Sequence, residues 1–198
     1  MMKIKTLLAR AYLSRTAAKT RSSSLSLPLD FTDKTLLVLL PSEQRELTVV
    51  KQVLPDITTI FGTRNVHLLA FPGTQVESIF PSKGFRIISP GKSVVGWTGL
   101  PTRAFLERMR AYKFDYIFDT NLAENIFAAR ILLEFPEAVR FGNMGHLGLP
   151  YLNLEIKTRY LRDRRQIYRS ILEVVGNLAN NIRHMDSISR SDSVPEET

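Results

Sequence analysis

Between Lys34 and Ile156 the chain alternates short runs of branched and aromatic residues with longer segments of helical periodicity, and this pattern limits the fold more than any other feature. Thr35 to Leu40 is continuously apolar, as a strand covered on both faces must be, and Pro41 stops it. Further strands are predicted over Val66–Phe71, Phe85–Ser89, Phe114–Asp119, Ala138–Phe141 and Tyr151–Ile156. Helices are predicted over Glu46–Phe61, Thr102–Tyr112, Ala123–Phe135 and Arg162–Asn180. Ser42 is positioned to cap the first of these, Pro55 to end or kink it early, and Gly62 to terminate it. Strands separated by helices require right-handed crossovers, hence a mainly parallel sheet of five to six strands between helix layers. The expected architecture is α/β, a Rossmann-like three-layer sandwich over residues 30–184. A basic arm with its linker precedes it at 1–29, and a polar tail expected to be disordered follows at 185–198.

The net charge of +8 is concentrated at one end. Lys3, Lys5, Arg10, Arg15, Lys19 and Arg21 are accompanied by no acid, so residues 1–29 hold +6 and the remainder only +2. A body so close to neutral does not suit duplex DNA, and an electrostatic partner is expected at the arm. Ile4, Leu7, Leu8, Ala11 and Tyr12 recur at helical spacing there, giving a short basic amphipathic helix ended by the Ser-rich stretch Thr20–Ser26 and by Pro28. Three readings stand open for it: a solvated tail packed loosely on the domain, a contact with an anionic membrane surface or RNA, and an organellar presequence. Removing residues 1–27 deletes no strand or helix of the predicted sheet, so little change in melting is expected. A cytoplasmic location follows, free or peripheral to a membrane, with a mitochondrial one if the arm is a presequence. No run approaches the roughly 20 apolar residues of a membrane span.

Ligands of parallel sheets lie at the carboxyl ends of the strands. A dinucleotide site needs Gly-x-Gly-x-x-Gly after the first strand, whereas this loop reads Pro41-Ser42-Glu43-Gln44-Arg45. NAD and P-loop chemistry are therefore disfavoured, and no cofactor is expected. Glu43 and Glu46 suit either a general base or a complement to a helix dipole. Asp115 and Asp119 fall on one side of their strand, and Asp119 with Thr120 and Asn121 suits either a ligand contact or a helix N-cap. Trp97, in a loop rich in Gly and Pro, could stack on a sugar or base or anchor that loop on the sheet edge. Arg140 stands at a predicted strand end, suited to a phosphate, a carboxylate or a structural salt bridge. Of His67, His146 and His184, which are far apart and show no ligand spacing, only His146 is kept as a candidate. With no cysteine and no clustered histidines, no metal site is expected.

The stretch from about Lys34 to Gly176 resembles a small family of uncharacterised bacterial proteins, known mainly from Bacteroidota and relatives. The likeness lies in the opening basic helix, the strand Thr35–Leu40, Trp97-Thr98-Gly99-Leu100-Pro101, and Phe114-Asp115-Tyr116-Ile117-Phe118-Asp119. It extends to Ala138–Gly142, Tyr151–Ile156 and the final helix. It implies a fold and a bacterial cytoplasmic setting. More distantly the order is similar to the N-terminal half of heptosyltransferase-type (family 9) glycosyltransferases. In those enzymes a Gly-Asp opens the first loop and a Lys/Arg-Arg-Ile-Gly-Phe-like segment ends the domain. Ser42-Glu43 and Val139-Arg140-Phe141-Gly142 stand at these places here. Such enzymes bind the nucleotide sugar mainly through a second Rossmann-like domain, which is not expected within these 198 residues. The resemblance implies a catalytically silent relative of the acceptor-side domain, non-enzymatic or dependent on a partner. Its rival is a glycosyltransferase-like enzyme that completes its site across a homodimer, with Glu43 as base and Arg140 on a phosphate.

Overall fold

The computed structural model describes residues 2–20, 25–27, 29–80, 84–145 and 147–191. In chain order it contains α1 (Met2–Lys19), β1 (Leu36–Leu39), α2 (Gln44–Phe61), β2 (Val66–Leu69), β3 (Arg86–Ile88), α3 (Arg103–Arg110) and β4 (Tyr116–Asp119). Then follow α4 (Ile126–Leu132), β5 (Val139–Asn143), β6 (Leu154–Ile156) and α5 (Arg164–Ser191). The six strands form one all-parallel sheet in the order β3-β2-β1-β4-β5-β6, as the alternation of strands and helices required.

Side-chain alternation along the strands divides the core into two layers. Leu36, Val38, Phe118 and Phe141 face α2 and α5. Leu37, Leu39, Leu69 and Ile117 face α3 and α4. β1 is buried on both faces, which explains its unbroken apolar run. Burying each such side chain contributes about 1.5–3 kcal/mol, so the central strands dominate the stability of the domain.

α2 presents Leu47, Val50, Val53, Leu54, Ile57 and Phe61 to the sheet. Pro55 does not end it, and the helix continues to Phe61, because the ring stands on the solvent face, where water replaces the lost backbone donor. Nor does Ser42 cap the helix: the cap position is Glu43, which makes no side-chain hydrogen bond there. α5 runs past Asn180 to Ser191, so the first residues of the expected polar tail continue the helix, and residues 192–198 lie outside the described residues.

The arm differs most from expectation. α1 is docked, with Ala9 and Leu13 buried; Leu13 packs on Ala129 of α4 and on Leu133 just past its end, and the Arg10 guanidinium pairs with Glu124. The stripe expected to be its apolar face, Ile4, Leu7, Leu8 and Tyr12, points outward instead. Arg21 lies outside the described residues.

His67, buried on β2, meets Tyr112 and Phe114 edge-on with ring centroids 5.8 and 5.2 Å away. Burial, helped by the charge of Arg86, lowers its pKa below the ordinary 6.5. The unfolded chain therefore takes up a proton at a higher pH than the folded one. The stability this group contributes is complete above about pH 6.5 and is lost as the pH falls toward the folded value. His67→Phe should remove that slope. Urea unfolding of wild type and variant between about pH 7.5 and 5.5 would show it, and parallel curves would refute it.

Candidate functional site

The strand order reverses between β1 and β4, so their carboxyl ends form the switch point at which doubly wound sheets bind ligands. Here the protein fills that crevice itself. The Thr120 hydroxyl donates to the Leu39 carbonyl at 2.6 Å, and the Tyr168 hydroxyl donates to the Thr120 carbonyl at 2.7 Å. Burial, reinforced by Glu46, raises the Tyr168 phenol well above its ordinary value, which keeps it a donor. Asp119 accepts from the Asn121 backbone at 3.1 Å and from Asn121 Nδ2 at 2.7 Å. Asn121 Oδ1 in turn accepts from Asn125, whose own Oδ1 caps α4 by accepting from the Phe127 and Ala128 N–H groups at 3.1 Å. Asp119 is thus the root of a hydrogen-bonded turn, and the N-cap role weighed for it belongs to Asn125. The space left among Leu39, Leu69, Phe71 and Phe127 is about 10 Å³, room for roughly one water. Gly142 tightens this end further, since a Cβ there would come within 3.0 Å of the Asp119 carbonyl oxygen.

An open crevice of about 660 Å³ lies beyond it, at the carboxyl ends of β5 and β6, with Asn143, Lys157, Thr158, Arg162 and Arg164 on its walls. The segment from Lys157 to Arg165 carries five cations and one acid, Asp163. That acid accepts from the Gln166 N–H at 3.2 Å at the start of α5 and is not part of the crevice wall. Arg164 pairs with Glu46 of α2 at 3.1 Å. Burial raises the Glu46 carboxyl, Arg164 opposes this, and nearby Glu43 adds to it. Leu161, 90% exposed, and Met144 put apolar surface at the crevice mouth. The arrangement suits a ligand bearing phosphate or carboxylate groups.

The residues singled out in the sequence scatter around this geometry. Glu43 is exposed at the head of α2, beside the Glu46–Arg164 pair. Asp115 and Asp119 lie at opposite ends of β4, Asp115 bonding the Thr35 N–H at 2.9 Å, so they form no pair. Arg140 is not at a strand end. It is fully buried within β5, and Nη1 donates to the Leu132 carbonyl at 3.2 Å, at the end of α4. Burial lowers its pKa, with Glu137 opposing, and the position withdraws this guanidinium from any ligand at the sheet edge. Trp97 does not anchor its loop. It is 68% exposed on a turn closed by Gly96 N–H to Leu100 O at 2.8 Å. Gly99 there has φ +89° and would bring a Cβ within 2.9 Å of Ile126. His146 lies outside the described residues. Among the described residues, no three His, Cys, Asp or Glu side chains stand close enough to share a metal ion. None of their helices is long and apolar enough to cross a membrane. Sequence reasoning missed Lys157, Arg162 and Arg164, although the density of cations following the last strand was there to be read.

Sheet order and helix layers define an α/β protein with a Rossmann-like fold, which carries a ligand-sized crevice at the carboxyl edge of its sheet. The E. coli heptosyltransferase WaaC with ADP matches it at a TM-score of 0.55 and 17% identity, over 71% of this chain and 46% of that one. The same enzyme with ADP-2-deoxy-2-fluoro heptose matches at 0.50 and 12% identity, over 71% and 48%. The chain thus spans about half the length of these enzymes, and the likeness is one of fold. No family model and no curated protein matches this chain.

Proposed function

We propose that this chain is a partner-dependent binding module of heptosyltransferase type, the acceptor-side half of such a fold. It holds a phosphate-bearing ligand in the crevice at the ends of β5 and β6 and relies on a second body to close over it. The observation that carries this reading is the crevice itself: about 660 Å³, walled by Lys157, Arg162 and Arg164, open, and rimmed by exposed Leu161. The pocket among Leu39, Leu69, Phe71 and Phe127 at the ends of β1 and β2, with room for about one water, supports the view that no nucleotide base is held there. The rival reading, an enzyme completed across a homodimer, loses Arg140 as its phosphate contact because that side chain is buried, and it keeps only exposed Glu43 as a base.

Thermal denaturation with inorganic pyrophosphate, ADP and an ADP-sugar tests the reading. Pyrophosphate should stabilise the protein, by about 2.7 kcal/mol at 100 times its Kd, and Lys157→Glu/Arg162→Glu should abolish the effect. ADP and the ADP-sugar should do no better than pyrophosphate, and NAD no better than ADP. A much larger shift with the ADP-sugar, lost in Glu43→Ala, would favour the rival, and no shift with any of them would dismiss the crevice as a site.

A further inference from the structure

α1 carries apolar stripes on two opposite faces. At about 100° per residue, Ala9 and Leu13 point toward α4, while Ile4, Leu7, Leu8 and Tyr12 point away, 62%, 65%, 48% and 51% exposed. A helix that only covered α4 would carry polar residues on its outer face. Past Tyr12 the outer stripe continues as Arg15 and Lys19, both exposed and, among the described residues, without an acidic partner. Trp97 stands beside the stripe, across a groove of about 570 Å³ that Leu8 and Tyr12 also line. The acid on the groove wall, Glu107, is held by Arg103 at 2.8 Å.

We propose that this face seats on an anionic lipid bilayer, independently of the crevice described above. Four apolar side chains and a tryptophan would enter the headgroup region, where an aliphatic body and an amphipathic indole are both favoured. Arg15 and Lys19, at the far end of the same stripe, would reach the lipid phosphates with their stems along the apolar surface. A second copy suits the face less well, because a two-fold contact sets the patch against itself and α1 offers Arg15 and Lys19 no acid to pair with. RNA would engage the cations and leave the aliphatic stripe in water.

Trp97 is the single tryptophan and reports directly on the contact. With the full chain, vesicles of phosphatidylcholine containing about 30% phosphatidylglycerol should shift its emission to the blue and sediment the protein, and pure phosphatidylcholine should do neither. Leu7→Ser/Leu8→Ser and Arg15→Glu/Lys19→Glu should each weaken partitioning at least about tenfold. Neither should lower the melting temperature, since these side chains face solvent. Absence of a blue shift, or equal binding to neutral vesicles, would overturn the proposal. So would a concentration-dependent dimer dissolved by the leucine pair, or binding of polyuridylate that survives the leucine pair while vesicles are ignored.

Discussion

Replacing Phe118 with alanine is expected to lower the stability of the domain by about 3–5 kcal/mol, a large part of what an ordinary domain possesses. Phe118 is fully buried in β4, registered between Val38 of β1 and Phe141 of β5. Its ring stacks on Phe141 with centroids 4.8 Å apart and meets Tyr168 of α5 edge-on at 6.3 Å. The substitution removes the ring, leaves a cavity that three elements cannot close without moving, and forfeits both ring contacts. At about 2–4 °C per kcal/mol for a chain of this length, the melting temperature should fall by roughly 6–20 °C. An unchanged transition by calorimetry would mean that β4 does not occupy the centre of the sheet.

Deleting residues 1–20 should also destabilise the protein, in contrast to what the sequence suggested. Leu13 is buried, and the deletion uncovers Ala129 and Leu133 and leaves Glu124 without Arg10. Loss of one buried leucine costs about 2–5 kcal/mol, so the truncated protein should melt roughly 4–20 °C lower. Leu13→Ala alone should reproduce most of the loss, because the exposed Arg10–Glu124 pair adds little. If the truncation melts with the full chain, α1 is not docked on α4.

The same helix shows where sequence reasoning runs out. Periodicity identified a helix in the arm, but two apolar stripes on opposite faces satisfy the same test, and only the presence of Ala129 and Leu133 decides which is covered. The parallel sheet was legible because each strand is a compact branched or aromatic run bounded by polar or turn residues, and β1 is apolar on both faces. Element ends were less so. The helix after β4 starts at Ile126 rather than Ala123, because Asn125, not Asp119, meets the free N–H groups. The crevice was legible only in part: the cations from Lys157 to Arg165 stand together in sequence, but no spacing links them to Asn143 of β5, which the fold brings to the same wall. Arg140 misled for a related reason, since its strand continues to Asn143 and so places the guanidinium inside.

The order of the strands also bears on how the chain is made. β1 pairs on one side with β2, close behind it, and on the other with β4, with Leu36 opposite Tyr116, while Thr35 bonds Asp115 across 80 residues. A ribosome adding about 5–20 residues each second needs roughly 4–16 s to cover that distance. For that interval the first three strands and α2 can assemble, but one edge of β1, made of Leu36, Leu37, Val38 and Leu39, waits without its neighbour. That apolar edge is the part of the nascent chain most open to pairing with a wrong strand, and a pause in synthesis before β4 emerges would lengthen the exposure.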